Sequence, residues 1–406
     1  MTDLAEKFRL LGTDYSPGQE TRRATIDTGA LRGETLAGTP VDFSHGDVDA
    51  FEPPPGSLDL FIEGVRAGGQ QAYTEYRGSA TIRRLLSDRL ATLVGTGIDG
   101  LDGMILTPGT QGALFLAMAS TVGTGDKVAI VEPDYFANRK LVHFLGGTIV
   151  PVPLDYLGNE RRAGLDLQAL ESAFRSGART FVFSNPNNPV GVIYSEEELR
   201  EIGGLAERYG VVVIVDQLYS RLLYDDRKYI SLCGLNFDPD KVITIMGPSK
   251  TESLSGYRLG VAFGSTRIIG RMEKLQAIVS LRAAGYNQSV LRIWLSEPNG
   301  WLAERIVQHQ HIRDALLDRL GKVSGVTVRK PEAGSYVFPQ LPSLDVSYPR
   351  FVDILRHQAG VTVTPGTEFS THSAASIRLN FSQDRGAAVA AVERLSALID
   401  RYRSTA

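Results

Sequence analysis

The chain has 406 residues, 43% hydrophobic and 22% charged, an ordinary globular mix too long for one small core and suited to two packed domains. A formal net charge of −3 offers no electrostatic case for nucleic acid or an anionic membrane, and the single Cys233 excludes an internal disulfide framework and a cysteine-built metal cluster. No apolar run approaches the roughly 20 residues of a membrane span, and the start Met1-Thr2-Asp3-Leu4-Ala5-Glu6-Lys7 lacks the marks of a secretory signal, so a cytoplasmic location is expected.

Residues 1 to about 53 are mostly polar or turn-forming and end in Phe51-Glu52-Pro53-Pro54-Pro55. They read as an N-terminal arm draped over the chain rather than as a core element. From 57 to 93 apolar residues recur at helical spacing in two segments, with Tyr73-Thr74-Glu75-Tyr76-Arg77-Gly78 as the loop between them. Strands are then predicted at 103–107, 127–131, 147–153, 180–184, 210–217, 242–246 and 258–263. Amphipathic stretches such as 111–121, 138–145 and 195–209 lie between most of them. This alternation predicts an α/β fold: a mainly parallel seven-stranded sheet flanked by helices, with ligands bound beyond the carboxyl ends of its strands.

After about residue 290 the texture changes. A long helical pattern covers 289–320, followed by the runs 326–329 and 334–340, a helix over 349–358, the run 377–381 and a last helix. That predicts a smaller α+β domain. The expected division is an arm forming part of the small domain over 1–53, a large domain over 54–290 and a small C-terminal domain over 291–406.

Six local patterns carry chemistry. Thr107-Pro108-Gly109-Thr110-Gln111-Gly112 is a turn that opens a helix directly after a strand, where small residues let backbone N–H groups approach a phosphate. Glu132-Pro133-Asp134-Tyr135 also follows a strand, and its tyrosine either stacks on a flat ligand or packs. Ser184-Asn185-Pro186-Asn187-Asn188-Pro189-Val190-Gly191 makes a rigid loop that presents amide groups. In Val211-Val212-Val213-Ile214-Val215-Asp216-Gln217-Leu218-Tyr219 an apolar strand ends on an acid, which needs a cation or donors once buried; a protonated pyridine nitrogen would serve. Gly247-Pro248-Ser249-Lys250 places a lysine after a strand, suited to Schiff-base catalysis, with Arg258 eight residues on as a fork for phosphate. In Ser376-Ile377-Arg378-Leu379-Asn380-Phe381-Ser382 an arginine among apolar residues wants an anion, either a substrate carboxylate or a structural partner.

Taken in this order, the Asn-Pro-x-Asn-Pro-x-Gly loop, Asp-x-x-Tyr, Ser-Lys-x(7)-Arg and Ile-Arg-Leu-Asn-Phe-Ser resemble the class I/II pyridoxal-phosphate-dependent aminotransferases. That family has the aspartate-aminotransferase fold, fold type I, and the resemblance covers nearly the whole chain. It implies pyridoxal 5′-phosphate as cofactor, with Lys250 as Schiff-base lysine and proton shuttle. Asp216 would pair with the pyridinium nitrogen, Tyr219 and Asn188 would hold the phenolic oxygen, and Tyr135 would stack on the ring. Gly109, Thr110, Gln111 and Arg258 would hold the phosphate, with Ser249 also in the cofactor shell.

Tyr73 matches a tyrosine lent to the neighbouring subunit's phosphate, which implies a homodimer with shared active sites. Arg378 would clamp the substrate's α-carboxylate, helped by Asn188 and the backbone near Gly46. Arg282 lies in the stretch from which dicarboxylate-specific relatives reach the side-chain carboxylate; a solvated arginine at a helix end is the alternative. The chain departs from the pattern at Gly247, where many relatives carry a hydroxyl, and at Val190, where Thr is common.

The implied activity is transfer of an amino group between an L-amino acid and a 2-oxo acid. Another fold type I enzyme, performing elimination, cyclisation or oxidation on an amino acid, would keep the same cofactor shell. An aminotransferase-like transcription regulator would need a separate DNA-binding domain, and the arm shows neither a recognition-helix pattern nor a basic patch. No metal site is expected, since none of the six histidines has a ligand-like pairing.

Overall fold

Runs in which nearly every residue is apolar cannot present a wet face and must be covered on both sides. The computed structural model, which describes residues 4–12, 31–44, 50–158 and 162–404, shows how this is done. The strands are β1 (Val41–Asp42), β2 (Met104–Pro108), β3 (Lys127–Glu132), β4 (Thr148–Pro153), β5 (Thr180–Ser184), β6 (Val212–Asp216), β7 (Val242–Met246), β8 (Leu259–Gly264), β9 (Tyr336–Val337), β10 (Val361–Thr362), β11 (Thr364–Pro365) and β12 (Ile377–Asn380). The helices are α1 (Leu4–Arg9), α2 (Ser57–Arg66), α3 (Gly69–Ala72), α4 (Ala80–Val94), α5 (Gly109–Ala119), α6 (Phe136–Leu145), α7 (Leu167–Arg175), α8 (Glu196–Tyr209), α9 (Thr266–Val279), α10 (Trp301–Leu320), α11 (Tyr348–Ala359) and α12 (Arg385–Tyr402).

Seven strands form one sheet in the order β2-β8-β7-β6-β5-β3-β4, parallel except for β8, which runs against both neighbours. The period-2 alternation of a strand divides each apolar run between two cores. Phe181, Phe183, Val213 and Val215 pack under α7 and α8, while Val182, Ile214, Ile243 and Ile245 pack with α5 and α9. A third core, with Leu86, Leu90, Val261 and the fully buried Trp294, closes the β2–β8 edge beneath α4.

Beyond this sheet, β11-β12-β9 form a small antiparallel sheet and β1 pairs with β10 in parallel. Their core joins Val41, Phe43 and Phe51 to apolar residues of α10, α11 and α12. Those three side chains correct the reading of the arm as a merely draped segment. Phe51 stacks on the buried His309 at 4.1 Å between ring centroids, and the His309 Nε2 lies 2.7 Å from Ser382 Oγ. The long helical pattern over 289–320 is likewise two elements: a 3-10 turn (Tyr286–Arg292) and α10, broken where Leu295 and Gly300 take left-handed backbone angles around Pro298. Pro298 has no N–H to continue the ladder. The run 326–329 contributes only an isolated bridge, Thr327 to Gln340.

The sheet's tightest constraint lies where β8 passes the turn into α5. A Cβ on Gly260 would stand 2.4 Å from the carbonyl carbon of Gly109 and 2.5 Å from the amide nitrogen of Thr110, all backbone atoms that cannot swing away. Gly260→Ala is expected to cost about 2–4 kcal/mol of stability through that overlap. Gly256→Ala, whose new Cβ meets nothing within 4 Å, is expected to be near neutral. Denaturant melts of both variants check the contrast.

Candidate active site

The parallel strands end on one edge of the sheet, and β8, running the other way, begins there. Arg258, just before β8, therefore meets the ends of β2, β6 and β7. A cavity of about 230 Å³ opens at this edge, bounded on its far side by Tyr336 of β9 and Arg378 of β12. Thr110, Gln111, Tyr135, Asn188, Asp216, Tyr219, Ser249, Lys250, Arg258 and Arg378 all line it, so ten predicted positions from six separate segments converge.

One end of the cavity suits a phosphate. Gly109 starts α5 with φ +75, and a Cβ there would lie 2.5 Å from the Arg258 Nη2, so only glycine lets the guanidinium reach the helix start. The free N–H groups of an eleven-residue helix and the guanidinium then face the same space. Arg258 is held in the left-handed region at φ +53, with its Nη1 donating to Ser255 O at 3.1 Å. The departure at Gly247 has a steric reason: a Cβ at that position would stand 2.7 Å from Thr110 Cγ2, so Thr110 fills the space a larger residue would need.

The middle suits a flat cationic ring. Asp216 ends β6 and accepts from Leu218 N at 3.1 Å. Burial pushes its carboxyl up to about 6, the Leu218 N–H pulling the other way. Tyr135 is held by its hydroxyl donating to Gln111 Oε1 at 3.0 Å and by an edge-on contact with Phe136. Tyr219 is buried, with its hydroxyl 2.7 Å from that of Tyr336.

The far side suits a carboxylate. Arg378 is 2% exposed; its Nη1 donates to Asn188 Oδ1 at 3.1 Å and its Nη2 to Ser44 O at 2.7 Å. Its Nε has no partner, and no carboxylate pairs with the guanidinium among the described residues. Gly46 lies outside the described residues. Tyr73 and Arg282 do not line this cavity: Tyr73 is 76% exposed, and the Arg282 guanidinium sits over the Tyr73 and Tyr76 rings while donating to Thr74 O at 2.7 Å.

Two positioning elements escaped the motif reading. Asp134 is a buried hub that accepts from Ser184 N (2.9 Å), Ser184 Oγ (2.8 Å), Asn187 Nδ2 and Asn138 Nδ2 (both 3.3 Å). Ser184 Oγ in turn accepts from Asn188 N at 3.0 Å, so this hub sets the asparagine loop. Burial pushes Asp134 up to about 7 against the pull of the Ser184 and Tyr135 donors. The second element is Arg221, two residues past Tyr219, which pairs with Glu252, two residues past Lys250, and with Glu297 at 2.8 Å. This buried cluster ties the tyrosine segment to the lysine loop. An acid beside a marked residue was the available signal in both cases.

The model of the family described as aminotransferase class I and II matches residues 42–395. The chain belongs to this family. An aspartate aminotransferase from Rhodobacter sphaeroides 2.4.1 is 61% identical over 99% of this chain and 100% of its own, with a TM-score of 0.95. The human kynurenine–oxoglutarate transaminase 1 is 26% identical over 95% of this chain and 96% of its own. An aspartate aminotransferase of Musicola paradisiaca is 25% identical over 89% of each. The protein is a pyridoxal-phosphate-dependent aminotransferase. Its residues fit that cofactor: a glycine-walled cradle beside Arg258, a half-buried carboxylate at the cavity in need of a cation, and an orphaned Arg378 Nε on the substrate side.

Because the Asp216 pKa rises on folding, from 3.8 to about 6, its stability contribution is whole below about pH 4 and lost as pH climbs through 6. Cofactor-free Asp216→Asn protein is therefore expected to be more stable than cofactor-free wild type at pH 8, by on the order of 1–3 kcal/mol. The margin should shrink toward pH 5. Denaturant melts at the two pH values check this, and equal stability at pH 8 would contradict it.

Proposed function

We propose that this aminotransferase takes an acidic amino acid, aspartate first, as donor and passes its amino group to a 2-oxo acid, with Lys250 as the catalytic amine. The observation that carries the amino-acid part of the reading is the buried Arg378 guanidinium with no carboxylate partner among the described residues, lining a cavity that also holds Lys250 and Asp216 and free to take the α-carboxylate common to all amino acids. An uncompensated charge so placed favours an anionic substrate. The choice of aspartate leans on the aspartate aminotransferase that is 61% identical to this chain.

In this reading Arg258, Ser249 and the start of α5 at Gly109, Thr110 and Gln111 neutralise the cofactor's phosphate. Asp216 keeps a proton on the ring nitrogen, Tyr135 covers one face, and Tyr219 and Asn188 donate to the phenolic oxygen. Pyridoxal phosphate, when bound, supplies an electron sink that makes the α-proton of an amino acid removable. Lys250 would hold the cofactor through its Nζ, and the same amine would take the α-proton and return it. Arg378, with Asn188 and the backbone near Gly46, orients the α-carboxylate so that the α-hydrogen faces Lys250.

The reading extends to a homodimer. Leu58, Ile62 and Val65 of α2, with Tyr73, Tyr76, Ile278, Val279 and Leu281, are large apolar side chains left exposed, which suits burial against a second copy. In such a dimer Tyr73 would reach the neighbouring cavity's phosphate and Arg282, which stacks on Tyr73, the substrate's side-chain carboxylate. The division into 1–53, 54–290 and 291–406 is supported by the core that joins Val41, Phe43 and Phe51 to α10–α12. Among the described residues no helix is long and apolar enough to cross a membrane. We place the enzyme in the cytoplasm.

Borohydride reduction followed by peptide mapping is expected to leave the cofactor on Lys250, and Lys250→Ala to lower turnover by about 10²–10⁴-fold or more. Label on another lysine would overturn the assignment. Arg282→Ala is expected to reduce kcat/KM for aspartate about 10–100-fold more than for alanine, since the lost fork leaves an acidic side chain unpaired. Equal losses for both donors would confine Arg282 to its stacking on Tyr73.

A further inference from the structure

Tyr336 lies on β9, outside every motif that marks the family, yet it lines the same cavity as Asp216. It is 4% exposed, and two contacts account for its place. Its ring lies 4.1 Å beneath the Arg378 guanidinium, and its hydroxyl is 2.7 Å from that of Tyr219. The two rings meet edge to face at 5.5 Å. Resting on the assignment of Tyr219 to the cofactor's phenolic oxygen, we infer that Tyr336 is a positioning residue that orders the Tyr219 proton toward that oxygen.

The argument is one of counting donors. A phenol has one hydrogen to give, and two phenols in contact share a bond in which either can be the donor. An acceptor oxygen on the other side of Tyr219 takes the Tyr219 hydrogen, so Tyr336 must supply the hydrogen between them. In the structure the bond runs from Tyr219 to Tyr336, and an acceptor beyond Tyr219 would reverse it. The charged and titratable groups facing Tyr336 act in the same sense. Burial raises its pKa and the cations of Arg378 and Lys250 pull it down; the Tyr219 bond also lowers it while Tyr219 is the donor, a contribution that ends once the bond reverses. Asp216 and Tyr135 also line this cavity. A more acidic Tyr336 is a better donor to Tyr219, and a Tyr219 that accepts one bond gives its own more strongly, by roughly 10–30% in a hydrogen-bonded chain.

The consequence is readable in the spectrum of the loaded enzyme, without turnover. A strong donor on the phenolic oxygen draws off negative charge and loosens the proton on the nitrogen that Lys250 contributes beside it. The pH midpoint of the visible absorbance change is set by that proton. Tyr336→Phe keeps the ring under Arg378 and removes only the hydroxyl. Its midpoint is expected to rise by about half a pH unit, the size that 10–30% of a charge-assisted bond allows. Tyr219→Phe should raise the midpoint further, and adding Tyr336→Phe to it should change nothing more, because Tyr336 acts through Tyr219. A Tyr336→Phe midpoint equal to wild type, or a shift that adds to that of Tyr219→Phe, would overturn the inference alone. A loaded wild type with no absorbance transition would overturn the Lys250 assignment and this inference with it.

Discussion

A carboxylate at the end of an apolar strand is the constraint around which this molecule is arranged. β6 must be buried on both faces to satisfy its valines and isoleucine, and that burial draws Asp216 out of bulk water with, among the described residues, the Leu218 N–H alone to offset its charge. Arg378 raises the same problem with opposite sign on the far wall. The protein brings the two into one cavity without joining them. A folded chain of ordinary stability tolerates such uncompensated groups only where the surrounding packing is strong enough to hold them. Here the supporting packing is the pair of apolar cores on either face of the seven-stranded sheet.

The precision of the site comes from contacts between backbones and from buried charge clusters, more than from the cavity-lining side chains themselves. Gly260 against Gly109 sets the distance between β8 and the start of α5, and so aims Arg258. Asp134 gathers donors from two segments and hands order to Asn188 through Ser184. Arg221 and Glu252 bind the segment after Tyr219 to the segment after Lys250. Each buried group is satisfied by a neighbour that also touches the site, so loosening one is felt at several cavity residues at once.

The second sheet is docked at the mouth of the cavity by polar contacts. Lys140 of α6 pairs with Glu368 at 2.7 Å, Arg139 donates to the carbonyls of Thr367 and Glu368 at 2.9 and 3.0 Å, and Ser370 donates to Glu132 Oε2 at 2.9 Å. These bonds join the end of β3 and the start of α6 to the segment that precedes β12. They hold Arg378 and Tyr336 at the cavity alongside the apolar contacts of Phe338 and Phe369 with the core under α7 and α8.

The α/β alternation, the seven strands and the residues at their carboxyl ends were legible in the chain itself, because a strand's period, a helix's period and a glycine-proline turn are local properties. The breaks were less legible. A helical pattern over 289–320 conceals the interruption at Pro298, and the polar arm conceals Val41, Phe43 and Phe51, whose burial depends on partners some 300 residues away. Lys250, Asp216, Tyr219, Asn188, Arg258 and Arg378 were all named from residue type and order. Tyr336 and Asp134 were not, because a tyrosine on a two-residue strand and an acid in a turn become significant only beside Tyr219, Arg378 and Ser184. By itself the sequence determined which groups end which strands. The tertiary structure alone decided which of those groups face one another, since hydrogen bonds and charges act across a few ångströms of space whatever their separation along the chain.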